Sequence, residues 1–89
     1  MAHAVVMQVK LVGDPVEGMK LLEEMVIPHA KAQPGFQRGT WMHNEARIGT
    51  GVVVFDTADH AAAAMHALQP PPEGPTVINC DVFEIARDV

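Results

Sequence analysis

The sequence predicts an α+β fold in which four strands and two helices follow one another in the order β-α-β-β-α-β. Four runs rich in β-branched residues are separated by two stretches with helical periodicity. Pro34-Gly35 ends the first helical stretch, and the strand that begins at Phe36 follows at once. At 89 residues, the chain is expected to form one domain over residues 1–89.

The first strand is predicted over residues 4–12. It is rich in valine, and the turn residues Gly13-Asp14-Pro15 close it. Because successive side chains of a strand point to opposite faces, one face carries Val5, Met7, Val9 and Leu11.

The first helix is predicted to begin at Pro15. Asp14 suits the N-cap, proline suits the first helical position, and Glu17 completes a spacing similar to a capping box. Pro28 is expected to kink the helix or end its regular part, because it has no backbone donor. The apolar stripe expected to face the sheet consists of Val16, Met19, Leu22, Val26, Ile27 and Ala30.

The second and third strands are predicted over residues 36–45 and 47–56, with a tight turn at Asn44-Glu45-Ala46. On the second strand, Phe36 is expected to share a face with Arg38.

The second helix is predicted to be capped by Asp56 or Thr57 and to end near Leu68. The proline-rich residues 69–75 then form a stiff connector to the last strand, over residues 76–86.

The resulting architecture is ferredoxin-like, with a four-stranded antiparallel sheet and two helices on one of its faces. The run Val52-Val53-Val54-Phe55 is apolar on both faces, which is typical of a strand covered on both sides. The simplest cover for the second face is an identical chain related by a two-fold axis. We therefore expect a homodimer that forms a dimeric α/β barrel.

Composition excludes several classes of function. The net charge is −5 and the six Lys and Arg residues form no cluster, so nucleic-acid binding is not expected. Cys80 is the only cysteine, which excludes an intrachain disulfide. The N-terminal sequence has neither the basic region of a signal peptide nor a membrane-spanning length of apolar residues. The expected location is cytoplasmic, without a membrane partner.

Trp41 and His43 are the main candidates for a functional site, because they lie two residues apart on one strand and share a face. Gly39 leaves space beside Trp41 for a flat ligand. An indole beside a titratable imidazole suits the orientation of a substrate and the transfer of a proton. The alternative is a tryptophan in the core or in a dimer interface, with a histidine at its rim.

Further candidates for substrate binding are more widely spread along the chain. Arg38 suits a ligand carboxylate or phenolate, or else an ordinary ion pair. His29 follows Pro28 at a helix end, where it faces either a pocket mouth or solvent. The predicted substrate-binding set is Trp41, Arg38, Asn44, His29, Phe55 and Met65.

We expect neither a metal site nor a cofactor. His60 and His66 are six residues apart, which separates them by about 120° around a helix, so they cannot bind one ion together.

The segment Pro34-Gly35-Phe36, together with the crossing from Val54 through Asp56 to Ala61, resembles the dimeric α/β-barrel superfamily, and more narrowly its antibiotic-biosynthesis-monooxygenase-like domains. The resemblance covers nearly the whole chain. It implies homodimers with a pocket in each subunit between helices and sheet. Members include cofactor-free oxygenases of aromatic polyketides, haem-degrading enzymes and proteins without an assigned activity.

The resemblance to the haem-degrading branch is incomplete. That branch uses an Asn on the first strand, a Trp at the end of the third and a His on the next helix. This chain has Gln8 and Phe55 at the first two positions, with His60 and His66 on the helix. Haem degradation is therefore not expected.

The cofactor-free oxygenase branch holds a phenolic substrate with Trp, Asn and Tyr side chains. This chain offers Trp41 and Asn44 but contains no tyrosine. The expected function is an apolar pocket for a small flat ligand, aromatic or similar to a polyketide. If the protein is an enzyme, we expect oxygenase chemistry, as in a cofactor-independent monooxygenase, or isomerase-type chemistry, in either case without a metal. Trp41 is then expected to position the substrate and His43 to transfer a proton. The alternative is a non-catalytic binding or interaction module of the same fold.

Overall fold

The computed structural model describes residues 2–89, and its strands form one antiparallel four-stranded sheet in the order β2-β3-β1-β4. This confirms the predicted α+β fold, and every strand ends within two residues of its predicted bounds. The strands are β1 His3–Lys10, β2 Phe36–His43, β3 Ile48–Phe55 and β4 Thr76–Glu84.

The second predicted helix, Ala58–Ala67, packs on one face of this sheet and is called α3. Its N-cap is Thr57, whose hydroxyl accepts a hydrogen bond from the backbone N–H of His60 at 3.1 Å. Small alanines on its inner side allow close approach to the strands. The core formed there consists of Val5, Ala30, Val53, Phe55, Ala61 and Ala64.

The first predicted helix is continuous but has three parts, which are α1 (Pro15–Leu21), a π turn (Leu22–Val26) and α2 (Ile27–Lys31). Asp14 caps it as predicted, accepting from the N–H of Val16 at 2.8 Å. Pro28 lies just after the π turn and cannot donate to the carbonyl one turn earlier. The π turn shifts the backbone hydrogen bonds by one residue, so that the N–H of Ile27 donates to the carbonyl of Leu22, five residues back.

The prediction that the whole apolar stripe of this helix packs on the sheet was wrong. Of its members, only Ala30 is buried. The α1 segment and the π turn contribute no buried residue, and Val16 and Met25 are 74% and 63% exposed. The first helix therefore contacts the core at its α2 end, and its α1 end lies farther from the sheet.

A β-bulge at the start of β2 changes the predicted facing of Phe36. Phe36 pairs with Phe55, but Arg38 pairs with Val54, so Gln37 is an extra residue. Phe36 therefore lies on the helix side and makes an edge-to-face contact with Phe55, with ring centroids 6.3 Å apart. The expectation that Phe36 shares a face with Arg38 was wrong for this reason.

The other sheet face, which we call the open face, is covered in part by the chain's own C-terminal residues. The N–H of Ile85 donates to the carbonyl of Ala2 at 3.0 Å, and Asp88 accepts from Arg38 at 2.7 Å. Because Arg38 is on β2 and β4 is the opposite edge strand, residues 85–88 cross one end of this face.

This crossing coincides with burial on the open face. Ala4 and Val54 lie at that end and are only 5% and 2% exposed. On the same face, Phe83 pairs with Ala4 but lies on the edge strand β4 and is 53% exposed, and Met42, farther along β2, is 51% exposed. The chain therefore covers one part of the open face by itself. Another part of this face is apolar and remains accessible.

None of the helices within residues 2–89 is long and apolar enough to cross a membrane.

Candidate functional site

A large cleft separates the α1 end of the first helix from the sheet. Its volume is about 1310 Å³, which exceeds that of most small-molecule sites, and one side is open to solvent. The floor is the helix-side face of the two central strands, and the opposite wall is the apolar side of the first helix. Floor and wall include Val5, Met7, Val9, Met19, Leu22 and Met25.

Trp41 lies flat on the floor of the cleft, over two glycines. A Cβ added to Gly39 would come within 2.6 Å of the indole six-membered ring, and one added to Gly51 within 3.1 Å of Nε1. Side chains at these two positions would therefore lift the indole. The space beside Gly39, which the sequence predicted would receive a ligand, is filled by Trp41 itself. A flat ligand would meet the outer face of the indole instead.

His43 and Asn44 lie at one end of the cleft, where β2 turns into β3. His43 faces the same side as Trp41, opposite Gly49, and its side chain is exposed. Asn44 is partly committed to the turn, because its Oδ1 accepts from the N–H of Ile48 at 3.0 Å. The imidazole of His43 is therefore the more available polar group at this end.

His29 lines another part of the cleft and joins the two helices. Its Nε2 lies 3.0 Å from the carbonyl oxygen of Ala67, at the C-terminal end of α3. Since a carbonyl only accepts, Nε2 carries the proton and donates. His29 therefore fixes the distance between α2 and α3 at the rim of the cleft.

The structure does not bring Arg38, Phe55 and Met65 to the cleft. Arg38 is on the open face, paired with Asp88. Phe55 is fully buried in the core, with no exposed surface for a ligand. Met65 packs against that core from α3. Of the six predicted substrate-binding residues, the cleft collects Trp41, His29 and Asn44.

Two features of the site were missed by sequence reasoning. Gly51 lies inside β3, and only the structure shows that the indole of Trp41 approaches the strand there. Met7 was placed on the correct strand face, but nothing local marks it as cleft-lining. Both depend on contacts between distant segments.

An Asp–His pair outside the cleft was also missed, although its i,i+4 spacing on and before α3 is a usable signal. Oδ1 of Asp56 lies 2.6 Å from Nδ1 of His60. This hydrogen bond lowers the pKa of the Asp56 carboxyl from its ordinary value of 3.8. Gly35 packs directly against both side chains, so the pair braces the Pro34-Gly35 turn.

Among residues 2–89, no group of three or more His, Cys, Asp or Glu side chains is arranged to hold a metal ion.

The sequence matches no known protein family, and no curated protein is similar to it in sequence. Among solved structures, the chain is similar to a mutant of SnoaB, a cofactor-independent oxygenase from Streptomyces nogalater, with a TM-score of 0.72. The similarity covers 99% of this chain and 96% of that one, at 18% sequence identity. This similarity confirms the fold of the single chain that the resemblance to antibiotic-biosynthesis-monooxygenase-like domains implied. The activity has to be argued from the residues.

Proposed function

We propose that this protein binds a small, flat, aromatic molecule in the cleft, stacked on Trp41, and oxidises it with molecular oxygen without a cofactor. The observation that carries the proposal is the flat indole on Gly39 and Gly51, which offers its outer face to the cleft between the apolar floor and the apolar side of the first helix. Aromatic rings bind such a surface by offset stacking. The fold shared with a cofactor-independent oxygenase supports the same reading.

Such chemistry requires a substrate that supplies its own electrons. The CH₂ group of an anthrone, which lies between two aromatic rings that also share a ketone, meets this condition, because it loses a proton to a base and the resulting carbanion is delocalised onto the ketone oxygen. The substrate then reduces O₂, so that one oxygen atom forms the new C=O group and the other leaves as water. His43 is proposed as the base, since a general base contributes a factor of about 10²–10⁴ to the rate.

A non-catalytic binding module is the second candidate function. The observation that favours it is the isolation of His43, whose imidazole is exposed and has no hydrogen-bond partner among residues 2–89. A catalytic base is usually oriented by a neighbouring group. The binding proposal stands in either case, and only turnover separates the two.

We further propose that two chains associate through the open face. Met42 and Phe83 supply exposed apolar surface there, with half-buried Val6 and Val52 between them. Light scattering tests the dimer, and a Phe83→Asp variant should shift the protein to the monomer. A wild-type protein that is monomeric at all accessible concentrations would rule the dimer out.

Binding can be measured directly, because Trp41 is the only tryptophan and the chain has no tyrosine. Anthracene-9-methanol absorbs where tryptophan emits, so its binding should quench the emission of Trp41. Turnover is measured with anthrone in air, as formation of anthraquinone with consumption of one O₂ per molecule. Catalysis predicts that His43→Ala lowers the rate at least about 10-fold while the dissociation constant changes little.

The matched control is His66→Ala, which removes an exposed histidine of α3 that does not line the cleft. It should leave both rate and affinity unchanged. Saturable quenching without anthraquinone formation above the uncatalysed rate would establish the binding module instead. Absence of saturable quenching would exclude the cleft as an aromatic site.

A further inference from the structure

We propose that the cleft selects flat aromatic ligands that carry a positive charge and rejects those that carry a carboxylate. This inference rests on the proposed aromatic site and adds the chemical class of its ligand. It follows from the charges around the cleft together with the exposed face of Trp41.

Carboxylates surround the cleft from separate parts of the chain. Two come from the start of the first helix, one from the π turn, one from the β2–β3 turn and one from the loop before β4. They are Asp14, Glu17, Glu24, Glu45 and Glu73. Because they come from different elements, the negative charges are distributed around the cleft and do not form one local patch. Their fields add inside the cleft.

Positive charge in the cleft is limited to one side chain among residues 2–89. Arg47 is the single Lys or Arg on the lining, and its Nη1 donates to the carbonyl of Gly13 at 2.9 Å. A ligand carboxylate would therefore meet five like charges and one guanidinium that already has a partner. The apolar floor would strengthen this repulsion, since low-polarity walls focus the field of a cleft.

Trp41 adds a second reason to expect a cation. The indole face is electron-rich and attracts a positive group within about 6 Å of its centre. An aromatic amine can stack its rings on Trp41, within the apolar space beside Met7, and direct its ammonium group to the carboxylates. Stacking on Trp41 therefore favours a flat ring system, and the carboxylates around the cleft favour a positive charge on the ligand.

The experiment compares three ligands of the same ring system by quenching of Trp41 emission. They are 9-anthracenemethylamine, anthracene-9-methanol and 9-anthracenecarboxylate, which are cationic, neutral and anionic at neutral pH. At low ionic strength, we expect the amine to bind at least about 10-fold more tightly than the carboxylate, with the alcohol between them. The difference should shrink strongly at about 0.5 M salt, where charges are screened beyond a few ångströms.

Two variants locate the selectivity. Glu24→Gln, combined with Glu45→Gln, should reduce the preference for the amine several-fold while leaving the affinity for the alcohol unchanged. Glu23→Gln is the matched control, because Glu23 lies beside Glu24 on the same π turn but does not line the cleft. It removes one negative charge, as Glu24→Gln alone does, and should have little effect on the preference for the amine.

Each outcome separates this inference from the proposed function. If the alcohol binds and the carboxylate binds equally well or better, charge selection is wrong and the aromatic site stands. An equal loss of preference in Glu23→Gln would assign it to the overall charge of the protein, and the inference would fail. If none of the three ligands binds, both proposals fail together.

Discussion

Nδ1 of His60 lies 2.6 Å from Oδ1 of Asp56, and Gly35 occupies the space next to both atoms. The N–H of Asp56 also donates to the carbonyl of Gly35 at 3.0 Å. The turn that ends the first helix is therefore held by the residues that begin α3. This contact joins the two helical connections of the fold at one end of the sheet.

Gly35→Ala should destabilise the protein for two reasons. Gly35 has a φ of +81°, and a non-glycine residue held there costs about 1–3 kcal/mol. Its Cβ would also displace the His60 and Asp56 side chains. Gly13→Ala is the matched control, since φ is +76° but no atom lies within 4 Å of the added Cβ. Urea unfolding should show a larger loss for Gly35→Ala, and equal losses would contradict the bracing role.

Acid should weaken the protein through Asp56. Its pKa is lowered in the folded state by the hydrogen bond from His60, so this contribution to stability is complete above the ordinary pKa of 3.8. It is lost as the pH falls through the lower, folded pKa. Urea midpoints measured between about pH 6 and pH 2 should therefore fall less steeply for Asp56→Asn than for the wild type.

The same acid series with His60→Ala separates the pair from other carboxylates. If the hydrogen bond is the main cause, His60→Ala and Asp56→Asn should flatten the profile similarly. The double variant should add nothing, because both substitutions remove one interaction. Additive effects would mean that another group lowers the pKa of Asp56.

Gly39→Ala should lift the indole of Trp41 away from the strand. The added Cβ would come within 2.6 Å of the ring, closer than real contacts allow, so the emission spectrum should shift and anthracene-9-methanol should bind about 10-fold more weakly. Gly51→Ala should have a smaller effect, since the contact there is 3.1 Å. Gly18→Ala is the control for the emission spectrum, because no atom lies near its added Cβ. In the helix it should add up to about 1 kcal/mol of stability. A normal spectrum for Gly39→Ala would show that the glycines do not set the position of Trp41.

Removal of residues 85–89 should change the association of the protein. The truncated chain loses the ion pair between Asp88 and Arg38 and exposes the end of the open face where Ala4 and Val54 are buried. We expect more self-association by light scattering at equal concentration. Asp88→Asn keeps the chain but breaks the ion pair, whose two side chains are more than half exposed. It should cost less than about 1 kcal/mol and leave association nearly unchanged. Equal association of the truncated and full-length chains would mean that residues 85–89 do not protect this face.

Local signals explain which parts of this fold were predictable. The helix caps and the turn depend only on residues close in sequence. The structure has the predicted N-caps at Asp14 and Thr57 and the predicted turn at Pro34-Gly35. Strand alternation put Trp41 and His43 on one face because that relationship is also local.

Errors arose where distant segments decide the outcome. The extra residue at Gln37 places Phe36 on the opposite face of the sheet, and no neighbouring residue in the sequence indicates this bulge. Arg38 pairs with Asp88 because the residues after β4 cross the sheet from one edge strand to the other. Phe55 was predicted to contact a ligand, but it packs in the core with side chains that only the folded chain brings together.

The π turn at Leu22–Val26 has a consequence for how the protein can vary. One additional residue in a helical turn rotates everything before it by about 100° relative to everything after it. The side chains of α1 and those of α2 are therefore out of phase, and this mismatch turns Met19 toward the cleft while Ala30 remains in the core. Deletion of a single residue such as Glu23 would restore the phase and reorient α1 against the strands. The set of α1 side chains that faces the cleft thus depends on one residue of chain length, so the lining of the cleft can change without a substitution in the sheet.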